Sequence, residues 1–555
     1  MSTDYLYREY GGGGIVYAVG HRHPDTDSIA SAIGYAHLKQ KQGYNVVACY
    51  LDELSSESKF LLKKFNQPFP LRIKDARSQL DETVMDDSNR VSKDSMLRDV
   101  IQRFDEQHKV FTVQDKRDRL LGIVTNSSIG ETVLHDTSRS IDLLAKTPIE
   151  NIARAIDGKL YYAPAKSHHN GKVSILALSA NNLKFYDLED RIVIMGNDTN
   201  FQLEAIRKGA AVLLLVWTKE IAPMVLNEAK KNQCAIILSG HGAMNTSRFL
   251  YYSIPVQLIM GKDLVVFNEQ EFVEDAKAKM MRTRHRAYPI VDQENRVMGL
   301  TSRYRLLNAP KRRFVLLDHN EAIQSVPNIE KAEIVEIIDH HRLGDLTSDK
   351  PVSFRNEPLG ATATIIAKLF IEQNVKPDWD VAGLLLSAII ADTLNFKSPT
   401  TTEEDKKIAQ HLAEYAEQNI DLLARDIFKA SSVDLLKDLG KLLEFDVKNY
   451  TVAERNIIIS QYTMYRLNET NALEEELVKV MEQYAANKNA YLWLMMFTSA
   501  RDNGSVFYAA GPGKDVLPLI FPNADGEKNT FQEGIVSRKN QVVPKLFLYL
   551  REGSI

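Results

Sequence analysis

Within seven residues the chain sets a histidine and two aspartates, in the run Gly20-His21-Arg22-His23-Pro24-Asp25-Thr26-Asp27-Ser28. One imidazole and two carboxylates at that density form a ligand set for divalent metal ions. Asp25 and Asp27 alternate, so each can face a different cation, with His21 supplying nitrogen; two metals are therefore predicted. The plainer reading of the same run is an Asp-rich helix N-cap beside a surface histidine. Three more clusters favour the metal: Asp318-His319-Asn320, Asp339-His340-His341 and Asp392. Oxygen and imidazole without cysteine suit manganese, cobalt or magnesium better than structural zinc.

Something must bring four distant clusters together. Each follows an apolar run: Ile15 to Val19, Phe314 to Leu317, Ile337-Ile338, and Gly383 to Ala391. The first has the length and β-branched content of a buried strand, and helical spacing begins at Ser28. In an open α/β sheet the carboxyl ends of successive strands converge on one crevice, so four such ends can assemble one site. Pro24 fixes the turn that carries the first ligands.

These residues carry a resemblance. The His-x-x-Pro-Asp-Thr-Asp run, Asp318-His319-Asn320 and Asp339-His340-His341 resemble the DHH phosphoesterase superfamily. Within it, Glu357 to Thr364, Ala391 to Thr400 and Ser537-Arg538-Lys539 are similar to family II inorganic pyrophosphatase. The resemblance covers residues 15 to 65 and 312 to 545. It implies hydrolysis of pyrophosphate to two phosphates with two or more divalent cations, manganese or cobalt with magnesium. His21, Asp25 and Asp318 then match the ligands of one metal, and Asp27, Asp318, His340 and Asp392 those of the other, with Asp318 bridging. Arg538 and Lys539 match a clamp on the phosphoryl oxygens, His341 a contact to phosphate, and Asp339 a residue that orients a histidine. The family's usual lysine before the strand at 457 to 462 aligns with Asn456, next to Arg455; either the substrate is held by one cation fewer or Arg455 substitutes. His319 is expected to point away from Asp318 and to orient its neighbours. His23, His168, His169 and His241 read as surface or hydrogen-bonded histidines. The alternatives are another DHH phosphoesterase, such as an exopolyphosphatase or a dinucleotide phosphodiesterase, or a nucleotide sensor with a vestigial catalytic core.

At 555 residues the chain implies several domains. A net charge of −4 without a basic stripe argues against nucleic acid as a partner. Cys49 and Cys234 stand in apolar surroundings and read as core residues rather than a disulfide, which fits a reducing cytoplasm. The polar start at Met1 to Tyr10 does not resemble a secretory signal, and no apolar run reaches the ~20 residues that span a bilayer, so neither export nor a membrane is expected.

About 290 residues separate the first two ligand clusters, far more than an α/β connection needs, so a block is inserted and the catalytic domain is split. Turn chemistry near 66 to 70 and 308 to 311 marks its ends. Inside it, Phe111 to Thr125 aligns without gaps on Tyr288 to Ser302, an offset of 177 throughout. Each copy reads as strand, polar turn, strand, helix, with Gly122 or Gly299 in the second strand and an amphipathic helix before it, over 96 to 108 and 273 to 284. The doubling resembles the CBS module, which works in pairs and binds adenine nucleotides. Where that family places Ser or Thr followed three residues later by Asp, this chain has Thr125 with Ser128 and Ser302 with Arg305. Arg303 and Arg305 either hold phosphate or begin a solvated helix.

The segment between the copies alternates strands (191 to 195, 211 to 216, 234 to 238) with helical stretches. From Gly196-Asn197-Asp198-Thr199 it is similar to a DRTGG domain, although that string is missing. The expected domains are 1 to 68 and 309 to 430 for the split catalytic domain, 69 to 134 and 253 to 308 for the CBS pair, 135 to 252 for the DRTGG-like domain, and 431 to 555 for an α/β substrate-binding lid. The fold class is α/β, with a parallel-sheet DHH-type core. Regulation by AMP, ADP, ATP or diadenosine polyphosphates, and a homodimer or homotetramer, follow from the resemblance as expectations.

Overall fold

Val16-Tyr17-Ala18-Val19 is buried along its whole length, as strands are inside a sheet covered on both faces, and in the computed structural model it lies at the centre of one. The structure describes residues 14–552, apart from 106–108, 134–136, 177–182, 184 and 185, 433–437, 466, 468–473 and 522–529. The expectation for the N-terminal ten residues lies outside the described residues; of the helix expected over 96 to 108 the structure has Leu97–Ile101, and 106–108 are outside the described residues.

The central sheet has six parallel strands, in the order Ser353–Asn356, Glu333–Asp339, Arg313–Leu317, Val16–Val19, Val46–Tyr50, Leu71–Arg72. The chain builds outward from Val16–Val19 to one edge, then resumes at Arg313 and builds to the other. Strand order thus reverses between Val16–Val19 and Arg313–Leu317, and the carboxyl ends of those two strands frame the crevice where such sheets bind ligands. Val19 lies opposite Leu316, which sets His21 and Asp318 at neighbouring strand ends.

One face of the sheet packs Ala18, Val315, Leu317 and Ile338 against the helices Thr26–Lys41, Thr362–Glu372, Trp379–Asp392 and Glu403–Tyr415. The expected fourth strand is not there. The run from Gly383 to Ala391 belongs to the helix Trp379–Asp392, in which every residue from Val381 to Ile390 is buried. A helix sunk in the core is apolar all round and shows no period from which sequence could tell it from a strand. Asp392 therefore reaches the site from a helix C-terminus. Likewise the first helix begins at Thr26, two residues before the expected start, with Asp25 as its N-cap.

The chain divides into two compact units, Met1–Arg77 with Lys311–Ile555, and Ser78–Pro310. The boundaries fall beyond the expected 68 and 308 because Leu71–Arg72 still pairs with the host sheet and Asp75 is held there by Arg312 Nη1 on its carbonyl at 2.8 Å and by Asn328 Nδ2 at 3.0 Å.

In the second unit the two repeat copies form equivalent three-stranded sheets, Asn89–Ser92, Val110–Gln114, Leu120–Thr125 and Phe267–Asn268, Tyr288–Val291, Val297–Thr301, each with one parallel and one antiparallel pairing. The segment ahead of each copy bridges the second strand of the other: Asp86 meets Leu300, and Gly261 meets Ile123. This explains the repeat glycines. A Cβ on Gly122 would lie 2.7 Å from the Gly261 carbonyl, and one on Gly299 would lie 2.8 Å from Met85 Cβ. Between the copies, Val173–Ile175, Ile192–Met195, Val212–Leu215 and Ala235–Leu238 form a parallel sheet edged by the antiparallel Lys159–Tyr162.

In the first unit the C-terminal domain is a five-stranded mixed sheet, in the order Val447–Val452, Arg455–Met464, Leu492–Ser499, Gly504–Ala510, Thr530–Glu533. Glu474–Asn487 packs on one face and Val543–Glu552 on the other. Lys397 Nζ donates to the Ala500 and Arg501 carbonyls and so ties the catalytic domain to the end of the strand Leu492–Ser499. Among the described residues no helix is long and apolar enough to cross a membrane. Both cysteines are free and buried.

Candidate two-metal centre

At the reversal point seven side chains from four chain segments converge. His21 Nε2 lies 3.3 Å from Asp25 Oδ2 and 3.3 Å from Asp318 Oδ2. His340 Nε2 lies 3.5 Å from Asp318 Oδ1 and 3.8 Å from Asp392 Oδ2. Potential ligand atoms fall into three overlapping groups, each spanning at most 4.8 Å: His21, Asp25 and Asp318; Asp27, His340 and Asp392; Asp318, His340 and His341. Asp25 and Asp27 fall in different groups; Asp318 is common to the Asp25 group and the His340–His341 group, and His340 links the latter to the Asp27 group.

Local structure aims these groups. Asp25, at the N-cap, accepts from Ser28 N at 2.9 Å with Oδ1 and keeps Oδ2 toward His21. The N-cap reading and the metal reading of this run thus hold together. Asp27 is buried and accepts from the amides of Thr362 at 2.6 Å and Ala363 at 2.8 Å. Asp318 takes the left-handed conformation, φ 62°, and accepts from Thr362 Oγ1 at 2.9 Å. His21 Nδ1 donates to the Arg22 carbonyl at 2.7 Å and His340 Nδ1 to the Leu359 carbonyl at 3.0 Å. Each backbone bond fixes the tautomer and leaves Nε2 as the ligand atom.

The charges are out of balance without cations. Burial, then repulsion from Asp318 and Asp25, raises Asp27 well above the ordinary carboxylate range. Asp392 is raised in the same way, by burial and then by Asp27, Asp25 and Asp318. Burial opposes the charge on His21, but Asp25 and Asp318 outweigh it and hold the imidazolium to about 12. Asp25 is driven down to about 2: its surroundings penalise the charge, and His21 more than compensates. His340 Nε2 is buried and has no hydrogen-bond partner among the described residues. Carboxyl groups with raised proton affinity, a stranded imidazole nitrogen and a donor set of oxygen and nitrogen are the features that divalent cations would resolve, so these residues fit two metals.

Asp339 is buried and holds the adjacent histidines: Oδ1 accepts from the amides of His340 and His341 and from His341 Nδ1 at 2.9 Å, and Asn320 Nδ2 bonds Oδ2. His341 is half-exposed; burial lowers its affinity for a proton, but Asp339 and Asp318 leave it raised overall. His319 is buried, donates from Nδ1 to the Leu317 carbonyl, and is held neutral, at about 4, by burial. It belongs to none of the three groups.

Arg538 lies elsewhere. Its guanidinium bonds the carbonyls of Asp446 and Ile459 and pairs with Asp446 Oδ1 at 2.8 Å, all within the C-terminal domain. It opens a π-helical turn, Arg538–Val542, whose next residue, Lys539, is exposed. Arg455 and Asn456 stand at the far end of the same strand pair, Arg455 over the Tyr491 ring at 4.7 Å and Asn456 donating to the Lys488 carbonyl at 3.2 Å. The cation beside Arg538 that sequence reasoning missed is Lys448. It is exposed, pairs with Ile459, and by alternation shares the face of Tyr450 and Val452 on which Val543–Glu552 packs. Only strand register reveals it.

In the second unit the nucleotide candidates are engaged locally. Thr125 Oγ1 accepts from Ser128 N, and Ser302 Oγ accepts from Arg305 N, so both hydroxyls cap helices. Arg305 pairs with Asp86 at 2.8 Å, and Arg303 Nη2 donates to the Met280 and Thr283 carbonyls. His241 is hydrogen-bonded, with Nε2 2.8 Å from Asp157 Oδ2.

Comparison with known proteins adds the following. The model of the DHH family, N-terminal domain, matches residues 15–389, and that of the DHHA2 domain matches 425–547. The cobalt-dependent inorganic pyrophosphatase of Clostridium perfringens is 32% identical over 537 residues, 96% of this chain and 98% of that one. The manganese-dependent inorganic pyrophosphatase of Bacillus subtilis is 38% identical over 233 residues, 42% of this chain and 75% of that one. Among solved structures, the CBS and DRTGG domains of the Clostridium perfringens pyrophosphatase regulatory region, complexed with the activator diadenosine tetraphosphate, match 41% of this chain and all of that one, at 28% identity and a TM-score of 0.38.

Proposed function

The chain belongs to the DHH family and, within it, to the metal-dependent inorganic pyrophosphatases, and from that premise we propose that it hydrolyses pyrophosphate to two phosphates under the control of adenine nucleotides. The observation that carries the proposal is the linkage of the three ligand groups through Asp318 and His340 at the reversal point of the sheet. His21, Asp25 and Asp318 would hold one divalent cation, and Asp27, Asp318, His340 and Asp392 the other, manganese or cobalt with magnesium. When bound, the pair would offset the charge of pyrophosphate and acidify a water near neutral pH.

The chain's own residues do the rest. Asp339 fixes the Nδ1–H of His341, which leaves Nε2 toward a phosphoryl oxygen, and the raised proton affinity of His341 favours the protonated form in which Nε2 donates. Arg538 and Lys539, with Lys448 beside them, form the cationic face of the C-terminal domain that would receive the phosphoryl oxygens. Arg538 would trade a partner in doing so, since Asp446 holds it in this structure.

Nucleotide control is supported by the doubled module and by its place inside the catalytic chain. The Arg305–Asp86 pair is nearly half exposed on both sides, so little stands in the way of phosphate there. We also assign the protein to the cytoplasm, consistent with two free buried thiols, and to a homodimer or homotetramer, for which the edge strand Ser353–Asn356 with its exposed Phe354 offers a pairing surface. The deciding experiment is phosphate release from pyrophosphate with manganese, cobalt or magnesium, alone and with AMP, ADP, ATP or diadenosine tetraphosphate. Faster release from long-chain polyphosphate or from a dinucleotide would transfer the assignment to another DHH phosphoesterase.

A further inference from the structure

Asp405 lies outside every ligand group, yet it is fully buried and collects donors from two segments. Oδ2 accepts from Thr402 N at 2.8 Å and Thr402 Oγ1 at 2.7 Å, the capping bonds of the helix Glu403–Tyr415. Oδ2 also accepts from Gly360 N at 2.9 Å, and Oδ1 from Thr364 Oγ1 at 2.7 Å. The last two contribute nothing to the cap. They fasten the turn that opens the helix Thr362–Glu372. A Cβ on Gly360 would lie 2.6 Å from Thr393 Cγ2 and 2.8 Å from Asp405 Oδ2, so the turn is wedged between Asp405 and the residue that follows Asp392.

That turn reaches all four residues assigned to the second cation. The Leu359 carbonyl orients His340, the Thr362 and Ala363 amides hold Asp27, and Thr362 Oγ1 holds Asp318. Thr393, packed on Gly360, adjoins Asp392. Of the residues assigned to the first cation, Asp318 is the one hydrogen-bonded to the turn among the described residues. We infer that Asp405 is a positioning residue for the second cation: by fixing residues 359 to 363 it preforms the site of Asp27, His340 and Asp392 and leaves the site of His21 and Asp25 to other contacts. The inference rests on the two-metal reading proposed above. Partners that orient metal ligands typically tune affinity 10- to 100-fold.

The test is a titration of metal-stripped full-length protein with Mn²⁺ alone, by calorimetry and by the electron paramagnetic resonance of free and bound ion. Wild type, Asp405→Asn, Thr364→Val and Thr402→Val are compared, with folding checked by circular dichroism. Asp405→Asn should weaken one of two sites about tenfold or more and the other by less than about threefold. Its phosphate release at low Mn²⁺ should return toward wild type in excess Mn²⁺. Thr364→Val, which leaves the cap intact, should weaken the same site less and carries the test if Asp405→Asn does not fold. Thr402→Val, which loses the two hydroxyl bonds of the cap and keeps Asp405 bonded to Gly360 and Thr364, should spare both sites. Equal weakening of both sites, no weakening in folded variants, or an equal effect from Thr402→Val would overturn the inference alone. A wild-type chain with fewer than two sites would overturn the two-metal reading as well.

Discussion

Replacing Asp318 by asparagine separates its charge from its shape. The residue sits at φ 62°, which asparagine tolerates, whereas alanine would add strain of about 1–2 kcal/mol unrelated to the metals. Asparagine also keeps an Oδ1 for the Thr362 hydroxyl. Without metal, the lost charge is attracted by His21 and repelled by Asp27 and Asp392, so opposing effects largely cancel and the melting temperature should move little. With metal the cancellation ends. At free Mn²⁺ about 1,000 times Kd, each site stabilises the fold by about 4.1 kcal/mol; a 100-fold weaker site contributes about 1.4. A bridging residue weakens both sites, a loss of about 5 kcal/mol; a residue serving one metal loses about 2.7. In a unit of this size the first corresponds to a decrease of roughly 10 °C in the metal-induced rise. Calorimetric melting with and without Mn²⁺, beside phosphate release, reads both quantities, and turnover should fall on the order of 10³-fold. Half the loss of thermal shift, or turnover within a few-fold of wild type, would refute the bridging role.

Metal binding should strengthen with pH between 6 and 8, by up to about tenfold per unit for each proton displaced, because the metal-free chain raises the proton affinity of His21, up to about 12, and of Asp27 and Asp392, and all three bind metal only when deprotonated. Calorimetry in two buffers of different ionisation enthalpy should show proton release; affinity that falls with pH would contradict the site's electrostatics. Arg538→Ala and Lys539→Ala should raise KM about tenfold or more and leave Mn²⁺ affinity unchanged, and a loss of metal affinity as large as that of Asp25→Ala would place them wrongly. Removing residues 78 to 310 and joining Arg77 to Lys311 through a short linker should leave pyrophosphate hydrolysis intact and indifferent to nucleotides; persistent nucleotide sensitivity would relocate the regulatory site. Gly383→Ala should lower the melting temperature, at a cost of about 1–3 kcal/mol, since its Cβ would lie 2.1 Å from Phe65 Cε1 inside the core; an unchanged melting temperature would show slack there.

Residues at strand ends were legible from sequence because a short apolar run followed by His or Asp marks such an end directly. Asp392 was legible as a ligand candidate and illegible as to element, because a helix buried on every side presents the same unbroken apolar string as a strand. Gly122 and Gly299 were placed by the repeat, but the reason for them, a backbone segment from the other copy crossing at each, appears only in three dimensions. The Thr362 and Ala363 amides that hold Asp27 left no trace, since backbone donors carry no side-chain signature and the partner lies about 335 residues away. Lys448 was passed over for the same reason: strand pairing, not spacing, puts it beside Arg538.

The two ends of the inserted unit meet, Ser78 Oγ donating to the Pro310 carbonyl at 2.9 Å, and that closeness bears on how the polypeptide acquires its structure. Val16 must find Arg313 across about 300 residues. If the insert folds first, its joined ends shorten the effective separation to roughly 65 residues, and the entropy of closing the loop falls by about 1.3 kcal/mol, close to a tenfold gain in the probability of that encounter. Order of synthesis runs the same way, since residues 78 to 310 leave the ribosome before the second half of the host exists. The inserted block thereby acts as a staple for nucleating the very sheet it interrupts.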